Sequence, residues 1–428
     1  MPSQPPVIVV PGITASVLED RYPIEPEEVW TAVLRKEFER ITLHPDDLRY
    51  EAVEPARIGP RNPLSLAYGD LVEALRHDLT KQRDKPTPVF AFGYDWRRDC
   101  LDSARLLEPM IDEVLGRTRL LPHYKKDPPD RVDLVGHSMG GIIIAAYLRA
   151  KQTGDLGLAK GDARVRRVVT IGTPFRGSID AIHKVATGMG SLTGPAPRDR
   201  EREAARVTPA LYQLLPSFAG AVTWTGTGQP VDLFAVDSWQ PSVLATMKQF
   251  IGQVKAEVGA EDLLQELLGR ARRLIDAVNS LDPTDPTILP KGVDGWLPIA
   301  GIDCKTLLRV EVERDRGKPW FKLLEPDNQG PESTQTGDGT VPYLGARSGF
   351  LAAERMVCVT PADLSMWEVG DIAMAKAAGF HATLPNVNLV QRLTIRHLRE
   401  DYAADFWGRR PPDATGALAW PTWLTPKA

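Results

Sequence analysis

Three residues of this chain are of the types that together attack an ester or amide carbonyl. Ser138 lies in Gly136-His137-Ser138-Met139-Gly140, a G-x-S-x-G. A serine hydroxyl is a weak nucleophile until a base takes its proton and an acid orients that base. Of the seven histidines, only His381 and His397 follow the late acidic loops. His381 stands in Gly379-Phe380-His381-Ala382-Thr383, which reads as a loop before a helix, and loops at a sheet edge carry such bases. His397 lies in the charged helical stretch 392–400, where a solvated face is the simpler reading. His137 is the variable residue of the pentapeptide and cannot fold back onto Ser138 as the base. Asp338 is the best acid, because glycines on both sides permit a sharp turn that aims a short carboxylate inward. Asp303 competes from a strand end, with Asp363 and Asp371 behind it.

Such chemistry needs a rigid frame. Val132 to Val135 reads as a short buried strand and Gly141 to Ala150 as a helix, with the pentapeptide between them. A strand that turns abruptly into a helix lifts one serine onto a strained corner. Small residues at Gly136 and Gly140 let the two backbones pass closely. The new helix points free N–H groups and its positive dipole end at an anion forming beside Ser138.

The same alternation recurs along the chain. Pro6 to Val10 is a continuous apolar run, the mark of a strand buried on both faces. Leu66 to Thr80 reads as a helix, Val89 to Phe92 as a strand, and Ser103 to Leu115 as a helix capped by Ser103. Val165 to Ile171, Trp296 to Gly301 and Arg355 to Val359 are further strands, and Pro385 to Leu398 the last helix. This pattern predicts an α/β fold of the α/β-hydrolase kind: a mostly parallel, doubly wound sheet with an inserted, mainly helical cap. In that arrangement the loop after the first strand and the residue after the nucleophile supply the N–H groups that hold the oxyanion. Here these are Ile13 and Met139.

Two stretches break the pattern. Residues 15–62 hold a proline-rich insertion, within which Glu27 to Arg40 has the spacing of an amphipathic helix, its Trp/Phe face suited to packing or to lipid. Residues 177–293 begin with a Gly/Pro-rich run at 188–199. They continue with two amphipathic helices, one over Val243 to Val254 and one over Leu263 to Val278, and close on Asp-Pro turns at 282–286. The expected organisation is therefore a core of 1–176 and 294–428 with a cap or lid at 177–293. The alternative is extra helices packed beside the sheet.

Composition sets limits on partners. The net charge of −4 gives no case for nucleic-acid binding. Three scattered cysteines, Cys100, Cys304 and Cys358, read as buried free thiols. No acidic or histidine cluster has metal-ligand spacing and no phosphate loop occurs, so no cofactor or metal is expected. No signal peptide or membrane span is legible, and the expected location is the cytoplasm.

Several segments together resemble the lecithin:cholesterol acyltransferase-like family of α/β hydrolases. They are Val-Pro-Gly-Ile after the first strand, Phe-Gly-Tyr-Asp-Trp-Arg at 92–97, Gly-His-Ser-Met-Gly-Gly at 136–141, Ile-Gly-Thr-Pro-Phe-Arg-Gly-Ser at 171–178, Gly-Asp-Gly-Thr-Val-Pro at 337–342, and His381. The resemblance implies Ser138, Asp338 and His381 as a catalytic triad, Ile13 and Met139 as oxyanion donors, lipid-ester substrates and a mobile lid at 177–293. The sequence differs from secreted animal members in having no cysteine pair in the 15–62 insertion. The expected function is a serine acyl hydrolase or acyltransferase acting on lipid esters, with transient contact to a membrane or micelle surface. An esterase or amidase of small soluble substrates and a non-catalytic binding scaffold are the alternatives.

Overall fold

The structure is a computed structural model and describes residues 4–31, 36–187, 199–323, 337–364, 370, 375, 379–399 and 405–427. Among these residues six strands form the central sheet: β1 (Val7–Val10), β2 (Val89–Ala91), β3 (Val132–His137), β4 (Val165–Ile171), β5 (Trp296–Gly301) and β6 (Val357–Val359). All pair in parallel, in the order β6-β5-β4-β3-β1-β2.

The apolar runs follow from two-sided burial. Ile8, Val10, Leu134 and Val168 face one core layer, while Val7, Val9, Val135 and Val169 face the other. Successive side chains of a strand point to opposite faces, so a strand covered on both sides is mostly apolar, and the charged Asp133 buried in β3 is paired with Arg166. The helix Met139–Thr153 packs on the first layer and is buried along most of its length. The helices Ser65–Asp78 and Asn388–Leu398 cover the second. Tyr68, Leu71 and Leu75 form the buried stripe of Ser65–Asp78, at the three- and four-residue steps of one helix face.

Several local readings change in three dimensions. The stretch 27–40 is not one helix: Glu27–Trp30 is a strand, and among the described residues of the stretch the helical ones belong to Phe38–Ile41. Glu27–Trp30 pairs antiparallel with Ser16–Asp20, which also pairs with Ile58–Pro63. Sheet pairing and the packing of Trp30 on Trp96 and Phe38 outweigh helical periodicity. Trp30 thereby packs inward and is 4% exposed. The helix expected from Ser103 begins earlier, at Cys100, and its cap is Asp99, which accepts the Leu101 N–H. The charged segment after β5 holds a hairpin, Val310–Asp315 with Lys318–Lys322, joined to Val222–Trp224.

The two long helices of the 177–293 region are Pro241–Val254 and Ala260–Asn279. Their apolar faces join the core layer that holds the Met139–Thr153 helix. Leu264 is fully buried there and Phe250 nearly so. The Gly/Pro-rich run at 188–198 lies outside the described residues. Of the three thiols, Cys100 and Cys358 are buried and Cys304 is half-buried, and none forms a disulfide.

His397 corrects the expectation of a solvated face. It is fully buried and its Nε2 donates to the Gly295 carbonyl. Burial pushes its pKa down to about 3, aided by the nearby Arg167 charge. The unfolded chain binds this proton near pH 6.5 and the folded chain does not. The stabilising contribution is therefore complete above about pH 6.5 and declines as pH falls toward 3, by up to about 1.4 kcal/mol per pH unit. Urea unfolding of wild type and His397→Gln should differ by that slope between pH 6 and about 4. Parallel slopes would show that His397 titrates alike in both states.

Candidate active site

The site is assembled by loops at the carboxyl ends of the parallel strands, where open α/β sheets carry their ligands. Ser138 follows β3 directly and adopts φ 53°, ψ −129°, a conformation strained for a residue with a Cβ. Its N–H donates to the Ile171 carbonyl at 2.9 Å, and the helix starts at Met139. Gly140 is required by the close crossing of the chain: a Cβ there would strike the Val10 and Pro11 carbonyl oxygens. The strand, the strained serine and the helix are thus placed as their sequence predicts.

His381 comes from the segment after β6. It lies in a four-residue helix, Phe380–Thr383, rather than in the loop expected before one. Asp338 comes from the excursion after β5, which returns to pair Gly337 with Cys304. His381 Nε2 is 2.9 Å from Ser138 Oγ, and His381 Nδ1 is 2.6 Å from Asp338 Oδ2. Ser138, Asp338 and His381 are 6%, 1% and 9% exposed, so the chain of contacts is shielded from bulk water.

Polarity fixes the protons. The other carboxylate oxygen, Oδ1, accepts the Thr340 and Val341 N–H groups at 3.0 and 2.7 Å. Oδ2, the oxygen that faces the ring, is an acceptor. Asp338 therefore accepts from Nδ1–H, which leaves Nε2 free to accept the Ser138 hydroxyl proton. The His381 N–H also donates to the Asp338 carbonyl at 3.0 Å. Gly172, at φ 55°, makes room beside the pair: a Cβ there would lie 3.1 Å from Asp338 Oδ2 and 3.2 Å from His381 Nδ1. Asp303 is exposed, and Asp363 pairs with Arg409. Asp371 lies outside the described residues.

The expected oxyanion donors flank the serine. Met139 opens its helix, so its N–H has no acceptor one turn back. Ile13 lines the cavity at Ser138, on a loop braced from several sides. Tyr94 Oη donates to the Pro11 carbonyl at 2.8 Å and Trp30 Nε1 to the Thr14 carbonyl at 2.8 Å. The Tyr-Asp-Trp-Arg segment thus supports the loop from beneath. Its Arg97 is fully buried and binds Asp95, Glu51 and the Ile41 carbonyl, tying the 15–62 insertion to the core.

Three contacts were not legible in the sequence. Tyr68 Oη accepts the Gly12 N–H at 2.8 Å and lies 2.7 Å from His137 Nδ1. His137 Nε2 is 3.0 Å from the His381 carbonyl oxygen. The helical spacing of residues 65–78 marks Tyr68 only as an inward residue.

A cavity of about 440 Å³ reaches Ser138 and His381. Its walls are mainly apolar and include Ala15, Leu66, Pro174, Ala181, Leu211 and Leu214. Asp180 and Lys184, paired at 2.8 Å, are its ionic lining. From the 177–293 region, then, the cavity is lined by residues 178–184 and 211–214, while the helices 241–254 and 260–279 lie behind them.

Residues 67–274 match the family model described as lecithin:cholesterol acyltransferase. The chain has the α/β-hydrolase fold and resembles the lecithin:cholesterol acyltransferase family. The matched residues include the serine elbow and most of the 177–293 region. Among solved structures it is similar to a chain of the Tle4–Tli4 complex, with 16% identity and a TM-score of 0.57. That alignment covers 92% of this chain and 99% of the other, which shows a shared fold. It also aligns with the mature form of the lipase BlEst2 of Bacillus licheniformis, at 13% identity over 93% of each chain with a TM-score of 0.38. No curated protein sequence matches the chain. Among the described residues, no helix is long and apolar enough to cross a membrane.

Proposed function

We propose that this protein is a serine acyl hydrolase or acyltransferase acting on lipid-like esters. The observation that carries the reading is the apolar cavity ending on Ser138 Oγ, with His381 Nε2 at 2.9 Å and Asp338 behind it. Ser138 attacks the ester carbonyl as His381 takes its proton, while Asp338 holds the imidazole in the accepting tautomer. The Ile13 and Met139 N–H groups stabilise the tetrahedral oxyanion. His381 then returns the proton to the leaving alcohol. Water or a second alcohol, activated by the same base, releases the acyl group from Ser138. Residues 177–293 act as a cap whose 178–184 and 211–214 segments shape the acyl groove.

A lipid substrate is supported by the lining of the cavity and by its rim. Leu66 lines the cavity yet is 68% exposed, which suits contact with a micelle or membrane surface. Charged substitutions at Leu264 or Phe250 would place a carboxylate inside the core and break the fold, so they cannot report on substrate. Leu66→Glu does not bury its charge. It should lower kcat/KM for a long-chain p-nitrophenyl ester about tenfold and leave a short soluble ester and Tm unchanged. Long-chain activity should also rise as substrate passes from monomer to micelle, and added alcohol separates transfer from hydrolysis. Equal losses on both esters with no rise at the micelle threshold would favour a small-ester enzyme. Failure of a fluorophosphonate to label Ser138, with no turnover of any ester, would leave a binding scaffold.

A further inference from the structure

We propose that Tyr68 and His137 are positioning residues that lock the oxyanion loop and the base segment to one another through a hydrogen-bond chain of fixed polarity. The inference rests on the reading of Ser138 as the nucleophile. The chain runs from the Gly12 N–H to Tyr68 Oη at 2.8 Å and from Tyr68 Oη to His137 Nδ1 at 2.7 Å. It continues from His137 Nε2 to the His381 carbonyl at 3.0 Å. Tyr68 is 2% exposed and His137 5%, so water does not substitute for any link.

Each proton has one allowed place. A carbonyl oxygen only accepts, so His137 Nε2 must carry a hydrogen. Burial, with the neighbouring His381 ring, holds the His137 pKa well below the usual histidine range, so the ring is neutral and has a single N–H. Nδ1 is then an acceptor and takes the Tyr68 hydroxyl proton. The Tyr68 oxygen in turn accepts the backbone N–H of Gly12. Both ends of the chain bear on the reaction. At one end the Gly12 N–H is consumed, which leaves the next N–H, that of Ile13, for the oxyanion. At the other, the His381 backbone is held twice: its carbonyl by His137 and its N–H by the Asp338 carbonyl at 3.0 Å. The imidazole that must sit 2.9 Å from Ser138 Oγ is therefore anchored through its own main chain.

His137 is not a second base. Its protonated nitrogen is committed to the His381 carbonyl, and its other nitrogen to Tyr68. Removing the Tyr68 hydroxyl leaves the ring without the donor that fixes its tautomer. Nδ1–H then becomes accessible, Nε2 loses its hydrogen, and the His381 carbonyl is released. Small displacements of this kind cost on the order of 10²-fold in turnover.

The test pairs kinetics with a tautomer measurement that does not depend on activity. In the ¹⁵N spectrum of histidine-labelled wild type, the resonances lost in His137→Gln should show a neutral ring protonated at Nε2, unchanged from pH 8 to about 5. Tyr68→Phe should convert them toward the Nδ1–H form or a mixture. Kinetically, Tyr68→Phe and His137→Gln should each lower kcat by about 10–10² with little change in KM, and the double variant should resemble either single one. A wild-type His137 protonated at Nδ1, or on both nitrogens at neutral pH, would overturn the proposal even if a variant failed to fold. So would additive losses in the double variant, or unchanged kcat in a folded Tyr68→Phe. Activity in Ser138→Ala would instead defeat the reading of the nucleophile and leave the tautomer result standing.

Discussion

Ser138→Ala should lower kcat on a p-nitrophenyl acyl ester by about 10⁶-fold while the protein still folds, by analogy with serine proteases stripped of their nucleophile. In the proposed mechanism this hydroxyl forms the first bond to the acyl carbon. Its Oγ contacts His381 Nε2, so its loss removes one hydrogen bond inside a preformed cavity. Alanine keeps the Cβ that already tolerates φ 53° here, so the elbow adds no new backbone strain. Tm should therefore stay within a few degrees of wild type. His381→Ala should lose activity by a similar factor, and the double variant should be no worse than either, because the members of a triad act as one unit. Retention of more than a tenth of wild-type activity by a folded Ser138→Ala, or a dead His397→Ala beside an active His381→Ala, would sink the assignment. The buried position of His397 and its bond to the Gly295 carbonyl make the second outcome a test of the geometry.

Asp338→Asn should cost on the order of 10⁴ in kcat with little loss of stability, the size seen when the orienting acid of a serine protease becomes its amide. The polarity of the site gives the reason. The amide that replaces the carboxylate can still accept the Thr340 and Val341 N–H groups through its carbonyl oxygen. Its NH₂ then faces His381 Nδ1 where the carboxylate oxygen stood at 2.6 Å. Two donors cannot share that contact, so the imidazole moves its hydrogen to Nε2. Nε2–H now points at Ser138 Oγ and cannot take its proton. Because the fault is a wrong tautomer, Asp338→Ala should be less selective in its damage, combining lost turnover with a lower Tm from the unpaired backbone donors. Asp303→Asn, at an exposed residue, should be near wild type. Steady-state kinetics of both asparagine variants decide the matter: a large loss for Asp303→Asn and none for Asp338→Asn would move the acid one loop earlier.

The amino-acid sequence determined the parts of this protein whose causes are local. The segments Val7–Val10, Val132–His137 and Val165–Ile171 are legible as strands because two-sided burial favours short runs rich in Val, Leu and Ile. The serine corner is legible because only small residues tolerate its close crossings, and Gly140 stands where a Cβ would meet the Val10 carbonyl. The glycines around Asp338 and the placement of His381 after the last strand pointed to the two groups that now lie within hydrogen-bond reach of each other. Tertiary structure decided what depends on remote neighbours. Glu27–Trp30 became a strand because Ser16–Asp20 offers it a ladder, which helical periodicity cannot register. His397 went inward because the sheet and the Gly295 carbonyl lie behind its helix, although its chain neighbours are charged. The apolar faces of Pro241–Val254 and Ala260–Asn279 were covered by core rather than left for substrate. Tyr68, His137, Gly12 and His381 meet across 69 and 244 residues of chain, and a hydrogen bond needs angles and distances that spacing in sequence does not encode.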